Sequence, residues 1–131
     1  TQKARYRSFL ENFSSGFQKT DLEMYRWLLY PILTALPEEL EAGLVYGDLR
    51  EEIESQHPEG TSLNPGNLTQ SLKSITSLQS DLDIKPFIVD YDETNKRLSI
   101  VDRGFLIWLQ TEEKEDLLSY SGLKQYINQD N

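Results

Sequence analysis

Apolar side chains recur at helical spacing in six stretches of this chain, and alternate with a period of two in two more. Tyr6, Phe9, Leu10, Phe13 and Phe17 fall at i, i+3, i+4, i+7 and i+11, which predicts a helix over 3–17 that Ser14-Ser15-Gly16 weakens in its last turn. Thr20-Asp21-Leu22-Glu23 has the form of a capping box and opens a second helix. Its face carries Leu22, Tyr25, Leu28, Leu29, Ile32, Leu33 and Leu36, with Pro31 removing one helical hydrogen bond on the way.

An acidic segment, PEELEAG, separates this helix from a short extended piece, Leu44-Val45-Tyr46, bracketed by Gly43 and Gly47. Asp48 is a suitable N-cap for a third helix to about Gln56, with Leu49 and Ile53 inward. HPEGTSLNPG, residues 57–66, is a loop by its two prolines and two glycines. From Asn67 a further helix runs to Leu82 with Leu68, Leu72, Ile75, Leu78 and Leu82 inward. Phe87, Val89 and Tyr91, then Leu98 and Ile100, predict two strands joined by a turn at Asp92–Lys96, where Asn95 tolerates a left-handed backbone. Phe105, Leu106, Trp108 and Leu109 predict a short apolar helix. Glu113–Ile127 predicts another, interrupted near Ser121-Gly122.

From Asp21 to Val101 this order resembles the winged helix-turn-helix superfamily. The likeness rests on the capped helix 21–36, the strand 44–46, the helix from Asp48, the helix 67–82 and a wing over 86–101. It implies a mostly helical α+β fold, with a two-stranded wing, a short third strand and added helices at both termini. The domain is then residues 21–110, flanked by helical extensions at 1–20 and 111–131. The ten-residue link between the second and third helices of that core is longer than the tight turn of DNA-binding members. The chain also resembles the accessory winged helices that follow nucleotide-binding domains in multidomain AAA+ or STAND-type ATPases. Beginning at Thr1 rather than Met, it reads as a piece of a longer polypeptide.

Charge changes what the fold is expected to do. The formal net charge of −9 is uneven. Residues 1–20 hold four basic and one acidic side chain, net +3, whereas 21–57 hold two basic and nine acidic, net −7. A DNA reader of this kind would place the helix 67–82 in the major groove and the wing on the backbone. Gln70, Ser74 and Ser77 have the chemistry to read base edges, and Lys73, Lys96 and Arg97 to meet phosphates. Those three cations sit in a field of carboxylates that repels a polyanion. The chain is therefore expected to bind protein, either a separate partner or neighbouring domains of its own polypeptide, with DNA or RNA as the alternative. Phe9, Phe13 and Phe17, and Leu117, Leu118, Leu123 and Tyr126, form apolar stripes on the terminal helices. Each needs a cover: its own domain, a second copy in a homodimer, or the rest of a longer chain.

Catalysis finds little support. No Gly-rich phosphate loop occurs, and the lone His57 reads as a surface loop residue. The carboxylate runs at 38–41, 51–54 and 112–116 read as solvated faces. Asp90 and Asp92 would hold a metal only with further oxygen ligands. No enzyme activity, cofactor or metal is expected. The absence of cysteine favours a reducing compartment such as the cytoplasm, and no apolar run is long enough to span a membrane.

Overall fold

The computed structural model describes residues 1–16 and 20–127. Over these the chain is a mostly helical α+β structure with a small antiparallel sheet. Helix α1 (Gln2–Ser15) starts where Thr1 Oγ1 accepts the Ala4 amide and stops at Gly16, whose φ of +65° takes the chain out of the helix. Tyr6, Phe9, Leu10 and Phe13 are buried, as the stripe requires.

Helix α2 (Met24–Thr34) opens three residues later than the expected start at Asp21. Thr20 Oγ1 does accept the Glu23 amide at 3.1 Å, but Glu23 itself is left-handed (φ 51°), so residues 20–23 form a capped turn ahead of the helix. The helix runs through Pro31 and ends before Leu36, which is 57% exposed and not on the inward face. Pro37 explains this, because the residue before a proline is pushed out of helical space. Leu36 is extended, and Pro37 is the first residue of α3 (Pro37–Ala42), in which Glu39 Oε1 accepts the Leu36 amide at 2.7 Å.

Strand β1 (Leu44–Val45) feeds directly into α4 (Tyr46–Gln56). Val45 is the N-cap, so Asp48 lies in the first turn rather than at the cap, where its charge still suits the helix dipole. A 3-10 turn at Gly60–Ser62 follows, and Asn64 caps α5 (Pro65–Lys73) by accepting the Gly66 amide. The single helix expected over 67–82 is two. Ser74, at φ −94° and ψ 2°, separates α5 from α6 (Ile75–Asp81). Its amide reaches both Gln70 O and Ser71 O, a tightening of the last turn that redirects α6 while Leu68, Leu72, Ile75 and Leu78 all stay buried.

Strands β2 (Val89–Asp92) and β3 (Arg97–Ile100) form the expected hairpin, with Val89 opposite Ile100 and Asp92 opposite Arg97. β1 pairs with the other side of β3, giving the order β1-β3-β2, all antiparallel. At the tip, Asp92 accepts the Thr94 and Asn95 amides and the Asn95 side chain. With Asn95 held in that way, Lys96 takes the left-handed position (φ 52°) instead. Asp102 then caps α7 (Arg103–Thr111) through the Phe105 amide, and α8 (Lys114–Tyr120) follows.

One hydrophobic core joins these elements, and both terminal helices contribute to it. Phe9 meets Phe105 edge-on at 5.3 Å, and Trp108 of α7 packs 5.8 Å from Tyr6 and Phe105.

Candidate interaction surfaces

The residues with base-reading chemistry lie on the exposed side of α5 and α6, but the break at Ser74 divides them. Gln70 and Lys73 are exposed on α5 and Ser77 on α6; Ser74, half-buried at the break, accepts from Gln70 Nε2 at 3.2 Å. Gln79, two residues after Ser77 on α6, is fully buried. Its Nε2 donates to Val89 O and Ile75 O, and its Oε1 accepts the Ile88 and Val89 amides. It clamps α6 to the start of β2. No periodicity argument distinguishes such a buried amide from a solvated one, and only the arrival of β2 gives it partners.

The hairpin's two cations diverge. Lys96 is exposed at the tip, while Arg97 is half-buried. Arg97 Nη1 donates to Ala42 O at 3.0 Å and Gly43 O at 3.3 Å, at the C-terminal end of α3. Its methylenes lie where a Cβ on Gly43 would sit, 2.8 Å away, and Gly43 has a φ of +87°. Arg97 is thus a tie between β3 and α3 and satisfies terminal helix carbonyls. The sequence reading of it as a phosphate contact overlooked that β1 brings those carbonyls alongside.

The terminal stripes find their cover within the chain. Phe9, Phe13, Leu117, Leu118 and Leu123 are all at most 7% exposed. Tyr126 is half-buried, and its hydroxyl donates to Glu23 Oε2 at 2.8 Å. Glu23 also pairs with Arg26, whose Nε donates to Ser121 O, so the chain after α8 is fastened to the start of α2. Phe17 lies outside the described residues. Phe9, Phe13, Leu117, Leu118 and Leu123, expected on a partner surface, are thus interior residues, because both terminal helices pack on the domain they flank.

His57 is not a surface loop residue. It is 6% exposed, and its ring packs at a tilt against Trp27, 5.1 Å between centroids. Its Nδ1 accepts the Glu59 amide and its Nε2 donates to Leu22 O, the tautomer those partners require. Both nitrogens are occupied in holding the 57–66 connection. Among the described residues, no group of three or more His, Cys, Asp or Glu side chains is placed to hold a metal ion, and no helix is long and apolar enough to cross a membrane.

Two of the acidic runs read from sequence as solvated faces, 38–41 and 51–54, each contribute carboxylates to one cleft. A cleft of about 470 Å³ lies between the end of α2, α3, β1 and the start of α4. Pro31, Ala35, Leu44 and Leu49 line its apolar side, Glu39 stands on the α3 rim, Asp48, Glu51 and Glu52 stand on the α4 rim, and Arg97, tied to Ala42 O and Gly43 O, is the one cation against these four carboxylates in the lining. Positions 48, 51 and 52 share one face of α4 by their i, i+3, i+4 spacing. Nearby, burial and then the charge of Glu52 push the Tyr30 phenol above its usual pKa. The spacing on α4 was legible in the sequence; its position opposite α3 was not. Comparison with family models, with curated proteins and with solved structures finds no match.

Proposed function

We propose that this chain is a non-catalytic protein-interaction module on a winged-helix frame, mediating protein–protein or inter-domain contacts. The element order, with β1 and a hairpin sharing one sheet in the order β1-β3-β2, supports the frame. The observation that carries the function is the carboxylate-rimmed cleft beside β1. Its field repels phosphates and attracts cationic protein surface.

The nucleic-acid alternative depends on Lys73 and Lys96 with Gln70, Ser74 and Ser77, since Arg97 is engaged with Ala42 and Gly43. Strong duplex binders neutralise roughly six to ten phosphates. Fluorescence anisotropy with labelled duplex DNA, single-stranded DNA and RNA at low salt tests the reading. No binding is expected. Binding that falls steeply with added salt and disappears in a Lys73→Glu/Lys96→Glu variant would establish the alternative instead.

A further inference from the structure

We infer that the cleft between α3, β1 and α4 takes an extended, lysine- or arginine-bearing peptide segment, laid along the free edge of β1. This deepens the interaction-module reading and rests on it. Two independent features point to this occupant.

The first is the strand edge. β1 is an end strand of the sheet, and residues 43–45 line the cleft. The Tyr46 amide donates to Lys96 O at 2.9 Å, so 46 and 96 form a hydrogen-bonded pair. Alternation makes Val45 and Arg97 a non-hydrogen-bonded pair, and Val45's amide is directed away from β3. An outward backbone donor on an edge strand is satisfied by an added extended chain.

The second is charge complementarity over an apolar floor. Ala35 and Val45, both part-exposed, offer apolar surface over the buried Leu44 and Leu49, between the Glu39 rim and the Asp48–Glu51–Glu52 rim. An extended peptide alternates its side chains, so apolar residues rest on the floor while neighbouring cations reach the carboxylates.

The probe is a fluorescein-labelled peptide of alternating lysine and leucine, with a glutamate–leucine peptide as control, titrated by anisotropy. Saturable binding of the first alone is expected, weakening as salt rises. The variant Asp48→Lys/Glu51→Lys/Glu52→Lys is expected to weaken it about tenfold or more. A single cooperative melting transition and an unchanged far-UV spectrum show that the fold of this variant is intact. A control reversal on α8, Glu115→Lys/Asp116→Lys, alters net charge away from the cleft and should leave affinity within about twofold. Amide chemical shifts should move at residues 35, 43–45 and 48–52. Equal loss in both variants, shifts spread over the surface, or no binding would overturn the proposal. Absence of peptide binding together with absence of nucleic-acid binding would sink the cleft assignment and leave the interaction module standing. Nucleic-acid binding would sink the broader reading itself.

Discussion

Arg5 Nη1 lies 2.6 Å from Asp102 Oδ2, a contact between residues 97 positions apart that fixes α1 on the junction of β3 and α7. Arg5 Nη2 also donates to Pro86 O at 2.8 Å, and Tyr6 Oη donates to Asp102 Oδ1 at 2.9 Å. Asp102 is at once the cap of α7 and the anchor of α1. Burial alone would push its carboxyl pKa up, but hydrogen bonds from Arg5, Tyr6 and the Phe105 amide, with the Arg5 charge, hold it below the ordinary value.

That sign sets a pH dependence. A depressed folded-state pKa contributes stability that is fully present above the unfolded pKa, about 4 for aspartate, and is lost as pH falls through the lower folded value. At neutral pH, Asp102→Asn is expected to cost about 2 kcal/mol, the scale of hydrogen bonds to a charged group. Urea titrations of both proteins across pH should show a constant gap above about pH 4 that closes below it. A gap that widened in acid would contradict this account.

Gln79→Leu preserves approximate volume and removes the clamp on β2. The Ile88 and Val89 amides and Val89 O are left inside without these partners. A loss of about 2–4 kcal/mol is expected, since each buried orphan carries its own desolvation cost. Hydrogen exchange at Ile88 and Val89 should accelerate before exchange in α1 does. Uniform acceleration would place the damage elsewhere.

Gly104 sits in the first turn of α7, where a Cβ would collide with Tyr6 Oη. Gly104→Ala is expected to lose about 1–3 kcal/mol by overpacking. Removing the oxygen with Tyr6→Phe should make the same alanine less costly, with a coupling of at least about 0.5 kcal/mol in a double-mutant cycle. Additive effects would mean that the two residues do not share this space.

Phe13 is fully buried, 5.1 Å from Phe9 and 5.7 Å from Tyr25. Phe13→Ala should cost about 3–5 kcal/mol. It should shift one cooperative transition rather than detach α1 alone, because α1 and α2 belong to the same core. Separate far-UV and Trp-fluorescence transitions would show instead an independently melting terminal helix.

Much of this was legible in the sequence where the signal is local. The stripe Tyr6-Phe9-Leu10-Phe13 and the alternation on either side of Asp92–Lys96 report burial on one face, and both elements form there. Elements shifted where a neighbour intervened: Pro37 turned Leu36 outward, and Ser74 divided the helix that an unbroken stripe had implied. The candidate sites were less legible than the fold. Arg97 reads from sequence as a phosphate contact and His57 as a surface loop residue, and nothing local marks Gln79 for burial. Each is bonded to backbone groups from another part of the chain. The carboxylate runs at 38–41 and 51–54 read as solvated faces, yet Glu39 of the first and Glu51 and Glu52 of the second line one cleft, with Asp48 beside them.

The sequence by itself determined which residues are apolar at helical or strand spacing, and hence the order of most elements and the content of the core. It also determined the uneven charge, because charge is a property of the residues and needs no fold. Tertiary structure decided where the polar side chains go: Arg5 to Asp102, Gln79 to β2, Arg97 to the end of α3, His57 beneath Trp27. The reason is range. Apolar burial is non-directional and leaves a periodic trace in neighbouring residues, whereas a hydrogen bond needs a particular partner within about 3 Å, brought there only by folding.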